Sequence, residues 1–201
     1  MKRIPFTLII LIPALFSCSL PGPLAPTLTP VPTRTVRPQE MPVSGCISAE
    51  PTQKDIDRAL SFADKVIDPA EWDRSYTVSE NRVSVTWLNN PQGAVIYFEA
   101  LIFSCGYNEQ DLNTYFSGEN WKTIFLNYQS YEYLEECKAK DDLRLYQFNA
   151  ISQGFNYKIR YWVLSDTDMR VITTMIVFPV GSESLLDDYS SRLFPTLRSC
   201  S

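Results

Sequence analysis

The chain has no histidine among its 201 residues. That removes the Ser-His-Asp triad, the Cys-His pair and every histidine-ligated metal site. Cysteine is sparse, five in all, and no two stand as CxxC, so the usual zinc spacing is missing. Glycine is scarcer than usual, and the glycines after residue 46 are isolated at turns, with no phosphate-cradling loop. Basic residues are outnumbered, 18 Lys and Arg against 23 Asp and Glu. Nucleic-acid binding rests on a basic patch, and none is present. Docking directly onto anionic lipid is disfavoured for the same reason. No stretch offers 18 unbroken apolar residues, so no membrane-spanning helix is expected. Neither a cofactor nor a metal is expected.

What is present begins at the N-terminus. Met1-Lys2-Arg3 is a short positive start, and Ile4 to Ala14 is apolar except for Thr7. That is the length of a signal-peptide apolar region. Leu15-Phe16-Ser17-Cys18 follows and resembles the lipobox of bacterial lipoproteins. Leu15, Ser17 and Cys18 match the pattern, while Phe16 is bulkier than the usual occupant. The resemblance implies a signal peptide over 1–17, cleavage before Cys18 and a diacylglyceryl group on the Cys18 thiol. The membrane would then be a partner through that lipid. The protein would sit at the cell membrane, lipid-anchored on the extracytoplasmic face. Two acyl chains suffice for stable attachment, at about 0.8 kcal/mol per buried methylene.

Residues 18–45 read as anchor and linker. Ser19 to Ser44 holds half of the 14 prolines, interspersed with Thr, Val and Leu. Such a tract cannot bury a core and is biased to extended polyproline II. It suits a spacer between the bilayer and a domain over 46–201. Setting aside Lys2, Arg3, Arg34, Arg37 and Glu40 leaves that domain with a net charge near −8.

The domain retains Cys46, Cys105, Cys137 and Cys200, an even count that reads as two disulfides in an exported protein. Strand directions favour Cys137–Cys200 with Cys46–Cys105. The rival is Cys105–Cys137 with Cys46–Cys200.

Hydrophobic periodicity supplies the elements. Asp55 to Asp68 reads as a helix stopped by Pro69. Val83, Val85 and Trp87 mark a half-buried strand. Ala94 to Cys105 is apolar on both parities except for Glu99, as a central strand covered on both faces would be. Asn108 caps a middle helix in two pieces. Strands follow at Ser130–Lys138, Leu143–Ile151, Phe155–Leu164 and Met169–Phe178, and Ser184–Leu193 is a last helix. The expected class is α+β, with a mainly antiparallel sheet of about six strands and N-terminal, middle and C-terminal helices. From Ala94 onward this order resembles the topology of the PsbP and Mog1 proteins, a likeness that implies nothing about ligand or activity.

Chemistry is thin. The adjacent carboxylates (Asp55/Asp57, Glu135/Glu136, Asp141/Asp142, Asp166/Asp168, Asp187/Asp188) suit helix starts and turns better than catalysis. No catalytic residue is assigned. Phe155, Tyr157, Ile159, Tyr161 and Val163 are expected to face inward. Lys158, Arg160 and Trp162 are the candidate binding surface, on the alternate parity. The favoured function is a non-catalytic, surface-tethered module that binds a protein, a glycan or a small ligand. The alternatives are a structural or assembly lipoprotein, and a carboxylate-based hydrolase acting on cell-surface sugar.

Overall fold

A computed structural model of the chain describes residues 50–200 apart from 104, 141 and 168. The signal peptide, Cys18, the linker and Cys46 lie outside the described residues. The elements run α1 Gln53–Ser61, β1 Asp73–Ser79, β2 Arg82–Asn89, β3 Ala94–Ile102, α2 Glu109–Tyr115, α3 Gly118–Ile124, β4 Ser130–Lys138, β5 Arg144–Ser152, β6 Phe155–Thr167, β7 Arg170–Pro179 and α4 Glu183–Leu193. The class is α+β. Seven strands form one sheet in the order β1-β2-β3-β7-β6-β5-β4, and every neighbouring pair is antiparallel.

The seventh strand is β1, and the sequence hides it. All seven of its residues are exposed, so no buried face stamps an apolar alternation on it. The first helix is also shorter than its periodicity. It ends at Ser61 and gives way to hydrogen-bonded turns through Ile67. Ala63 and Ile67 stay buried there, so burial persists after the helix has stopped. Its start is firm: Thr52 and Asp55 form a reciprocal capping box.

Helices cover both faces of the sheet. On one, α1 and α4 pack with Val85, Ile96, Phe98, Trp162 and Phe178. On the other, α2 and α3 lay Phe116, Trp121 and Phe125 over Tyr146, Phe148 and Tyr161. β3 is an interior strand, between β2 and β7, and not the middle one of the seven. The β5–β6 hairpin turns through Gln153 and Gly154, both at positive φ, which matches a two-residue turn compatible with strand twist.

The chain ends back on the sheet. Cys137 on β4 and Cys200 beyond α4 are joined by a disulfide with Cα atoms 5.4 Å apart. The up-and-down strand directions bring those two positions to the same end. Cys105 is disulfide-bonded as well, and its expected partner, Cys46, lies outside the described residues.

Candidate functional site

The face proposed from the parity of β6 is not a surface. Trp162 is 1% exposed. Its ring stacks on Phe194 at 4.4 Å, and its Nε1 donates to the Leu197 carbonyl at 2.8 Å. The pattern misleads because α4 and the tail cover the side of β6 that would otherwise meet solvent. Arg160 is mostly buried for the same reason. It donates to Asp187 Oδ1 at 2.6 Å and to Ser190 Oγ at 3.0 Å, both on α4. Lys158 donates to Asn149 Oδ1 on the neighbouring strand. These residues clamp α4 to the sheet and knit β5 to β6. Phe155, expected inward, is 65% exposed at the start of its strand.

The adjacent carboxylates also have structural partners. Asp55 caps α1 and pairs with Arg170 at 3.0 Å. Burial alone would raise its pKa, but the Thr52 hydrogen bonds and Arg170 outweigh that and hold it below the usual value. Asp57 accepts from Gln53, and Asp166 takes both Arg58 nitrogens. Glu135 accepts from Gln147, Glu136 lies near Lys138, and Asp188 pairs with Arg192. Asp142 occupies a positive-φ turn position. Asp141 and Asp168 are outside the described residues. Among the described residues, no cluster of metal-ligating side chains forms.

The structure instead opens a cleft on the other face. The middle helices pack over β5 and β6 but leave part of β3 and β7 uncovered. The gap between that floor and α3 is a cleft of about 560 Å³, within the ordinary size of small-molecule sites, about 300–1,000 Å³. Val95, Tyr97, Glu99, Met175, Val177, Tyr157 and Tyr161 supply the floor. Tyr115, Asn120, Thr123, Ile124, Asn127 and Tyr128 supply the wall, and Arg82 stands at the rim. Five tyrosines therefore line one cleft, over an aliphatic base.

A carboxylate lies in that floor. Glu99 is 8% exposed and sits in the middle of β3, opposite Ser84 on β2 and Thr173 on β7. A buried charge needs partners, and three donors meet it. Tyr97 Oη donates at 2.9 Å, Ser84 Oγ at 3.0 Å and Arg82 Nη1 at 3.3 Å. All three arrive at Oε1, and none of them reaches Oε2.

The titration of the lining follows from this arrangement. Burial works against the Arg82 charge, but the Glu99 carboxylate outweighs it and lifts the guanidinium above its ordinary pKa. Burial, then the Glu99 charge, raises Tyr97 and, more strongly, Tyr161. Burial pushes Tyr128 up to about 12. These phenols are neutral hydroxyls at physiological pH. The lining thus holds one cation, one anion and otherwise uncharged groups.

The sequence carried one signal for this site: Glu99 is the lone charge in an otherwise apolar interior strand. The tyrosines gave none: Tyr97, Tyr157 and Tyr161 lie on strands, where they are common core formers, and Tyr115 and Tyr128 belong to the middle helical segment.

No protein-family model matches the chain, and no curated protein matches it. Among solved structures, a crystal structure of human STARD10 is similar at a TM-score of 0.27 and 11% identity, covering 73% of this chain and 76% of that one. So low a score carries no argument about fold or function.

Proposed function

We propose that the chain is an exported, lipid-anchored, non-catalytic binding module that takes a small ligand into the tyrosine-lined cleft. The observation that carries this reading is the cleft itself: a concave hollow of small-molecule size in which tyrosine rings and aliphatic side chains stand beside convergent polar groups. The lipobox-like segment and the Pro/Thr-rich tract supply the rest, as anchor at Cys18 and spacer to the domain. A carboxylate hydrolase needs two carboxyls facing each other at about 5–10 Å across a cleft. One carboxylate, Glu99, lines this cleft among the described residues, and three donors already hold it.

Thr123 is exposed on α3 at the cleft wall, so Thr123→Trp should fill the cleft without touching the core. Ligand-observed NMR with a fragment library, on the full chain in lipid nanodiscs, should give hits that the variant loses. Hits that persist in Thr123→Trp, or none above empty nanodiscs, would overturn the reading.

A further inference from the structure

We propose that the cleft selects a neutral ligand bearing hydroxyl groups beside an apolar or aromatic face, a polyol or glycoside in chemistry, and that Glu99 Oε2 accepts one of those hydroxyls. This rests on the cleft being the ligand site and goes on to name what it takes.

The charge of the lining is the first argument. Arg82 and Glu99 are its two charged residues, and they are paired. A charged ligand entering would leave water for a site with no net charge to meet it, and that transfer is costly. A neutral ligand avoids the cost.

The geometry of Glu99 is the second. Its three donors converge on Oε1, which leaves Oε2 as the acceptor that a ligand can reach. Arg82 spends Nη1 on that carboxylate, and a guanidinium has five N–H donors in a fixed fork. An acceptor and a donor therefore stand side by side at one end of the cleft. A hydroxyl pair gives a proton to the first and takes one from the second. The tyrosine rings and the aliphatic floor are left for the ligand's apolar face. A ligand without such a hydroxyl would cover Oε2 with no hydrogen bond in place of the solvent's, and that loss is penalised.

The probes are phenyl β-D-glucopyranoside and two charged molecules with the same ring, benzylammonium and benzoate. Titration calorimetry on the full chain in nanodiscs should show the glucoside binding at least about tenfold more tightly than either ion, on the scale of one charge-assisted hydrogen bond. Glu99→Gln keeps an oxygen for the three internal donors but puts an NH₂ donor in place of the second acceptor. It should weaken the glucoside about tenfold, with the melting temperature checked for folding. Arg82→Met removes the neutralising cation and should reverse the order, so that benzylammonium overtakes the glucoside. Tighter binding of either ion to the wild-type chain would overturn the proposal. So would glucoside binding that Glu99→Gln leaves unchanged and Thr123→Trp abolishes, although the cleft would then stand as a site. If fragments bind in the cleft but none of these three probes does, the proposal fails and the cleft reading survives. If fragment binding ignores Thr123→Trp, the cleft reading itself fails.

Discussion

Trp162 shows how far a single residue can depart from its pattern. Between Tyr161 and Val163, both inward, it had the parity of an outward residue. A strand covered on both faces has no outward parity, and the cover here is α4, which lies far along the chain. With the ring buried, stacked and hydrogen-bonded, Trp162→Ala should cost about 3–5 kcal/mol; a denaturant titration measures it. Glu99 is the opposite case. A charge inside an apolar run was visible, but its partners on β2 were not, since pairing depends on register. The buried phenols give a second residue-scale prediction. Burial pushes Tyr128 and Tyr146 up to about 12, against about 10 in the unfolded chain. Each counts against the folded state only once the unfolded phenol can ionise and the folded one cannot. The uncharged phenols suit the fold fully below pH 10. Stability should then fall as pH rises from 10 towards 12, as the unfolded chain loses protons that the folded one keeps. Unfolding midpoints over that range, beside absorbance titration of tyrosinate, check both the direction and the window.

Elements were more legible than residues where one buried face or a cap imposed a period. β3, β5, β6 and β7 carry apolar side chains on the faces that helices cover, and turn residues fall between them. β1 escaped because an edge strand with both faces exposed needs no pattern; its partner β2 supplies the ladder. The end of α1 escaped because Ala63 and Ile67 continue its apolar spacing through turns. The last segment depends on a covalent tie. Cys137–Cys200 closes a separation of 63 residues and holds the tail, whose Leu197 carbonyl accepts from Trp162. Replacing both cysteines by serine should destabilise the domain by about 2–5 kcal/mol, read as a lower denaturant midpoint. Trp162 emission should respond in the same titration. At the other end of the domain, Thr52→Ala removes the hydroxyl that caps α1 and should cost about 1 kcal/mol. An unchanged midpoint would show that the ion pair Arg170–Asp55 holds the helix start without the cap.

At the scale of the whole molecule, the sequence supports an expectation about address and none about which ligand is bound. An apolar leader ending at a cysteine is a local signal, whereas a cleft is assembled from β3, β6, β7, α2 and α3 and has no contiguous signature. The address is testable by itself: Cys18→Ala should move the protein out of the membrane fraction or leave its signal uncleaved. Wild-type maturation and fractionation would contradict the anchor. The central claim is that small molecules are held in the cleft between α3 and the β3–β7 floor. Photo-crosslinking the full chain in nanodiscs with diazirine-bearing fragments, followed by peptide mapping, tests it most directly. Adducts should concentrate on Tyr97, Tyr128 and Met175 and vanish in Thr123→Trp. Adducts gathered instead around Lys158 and α4, undiminished by that substitution, would contradict it.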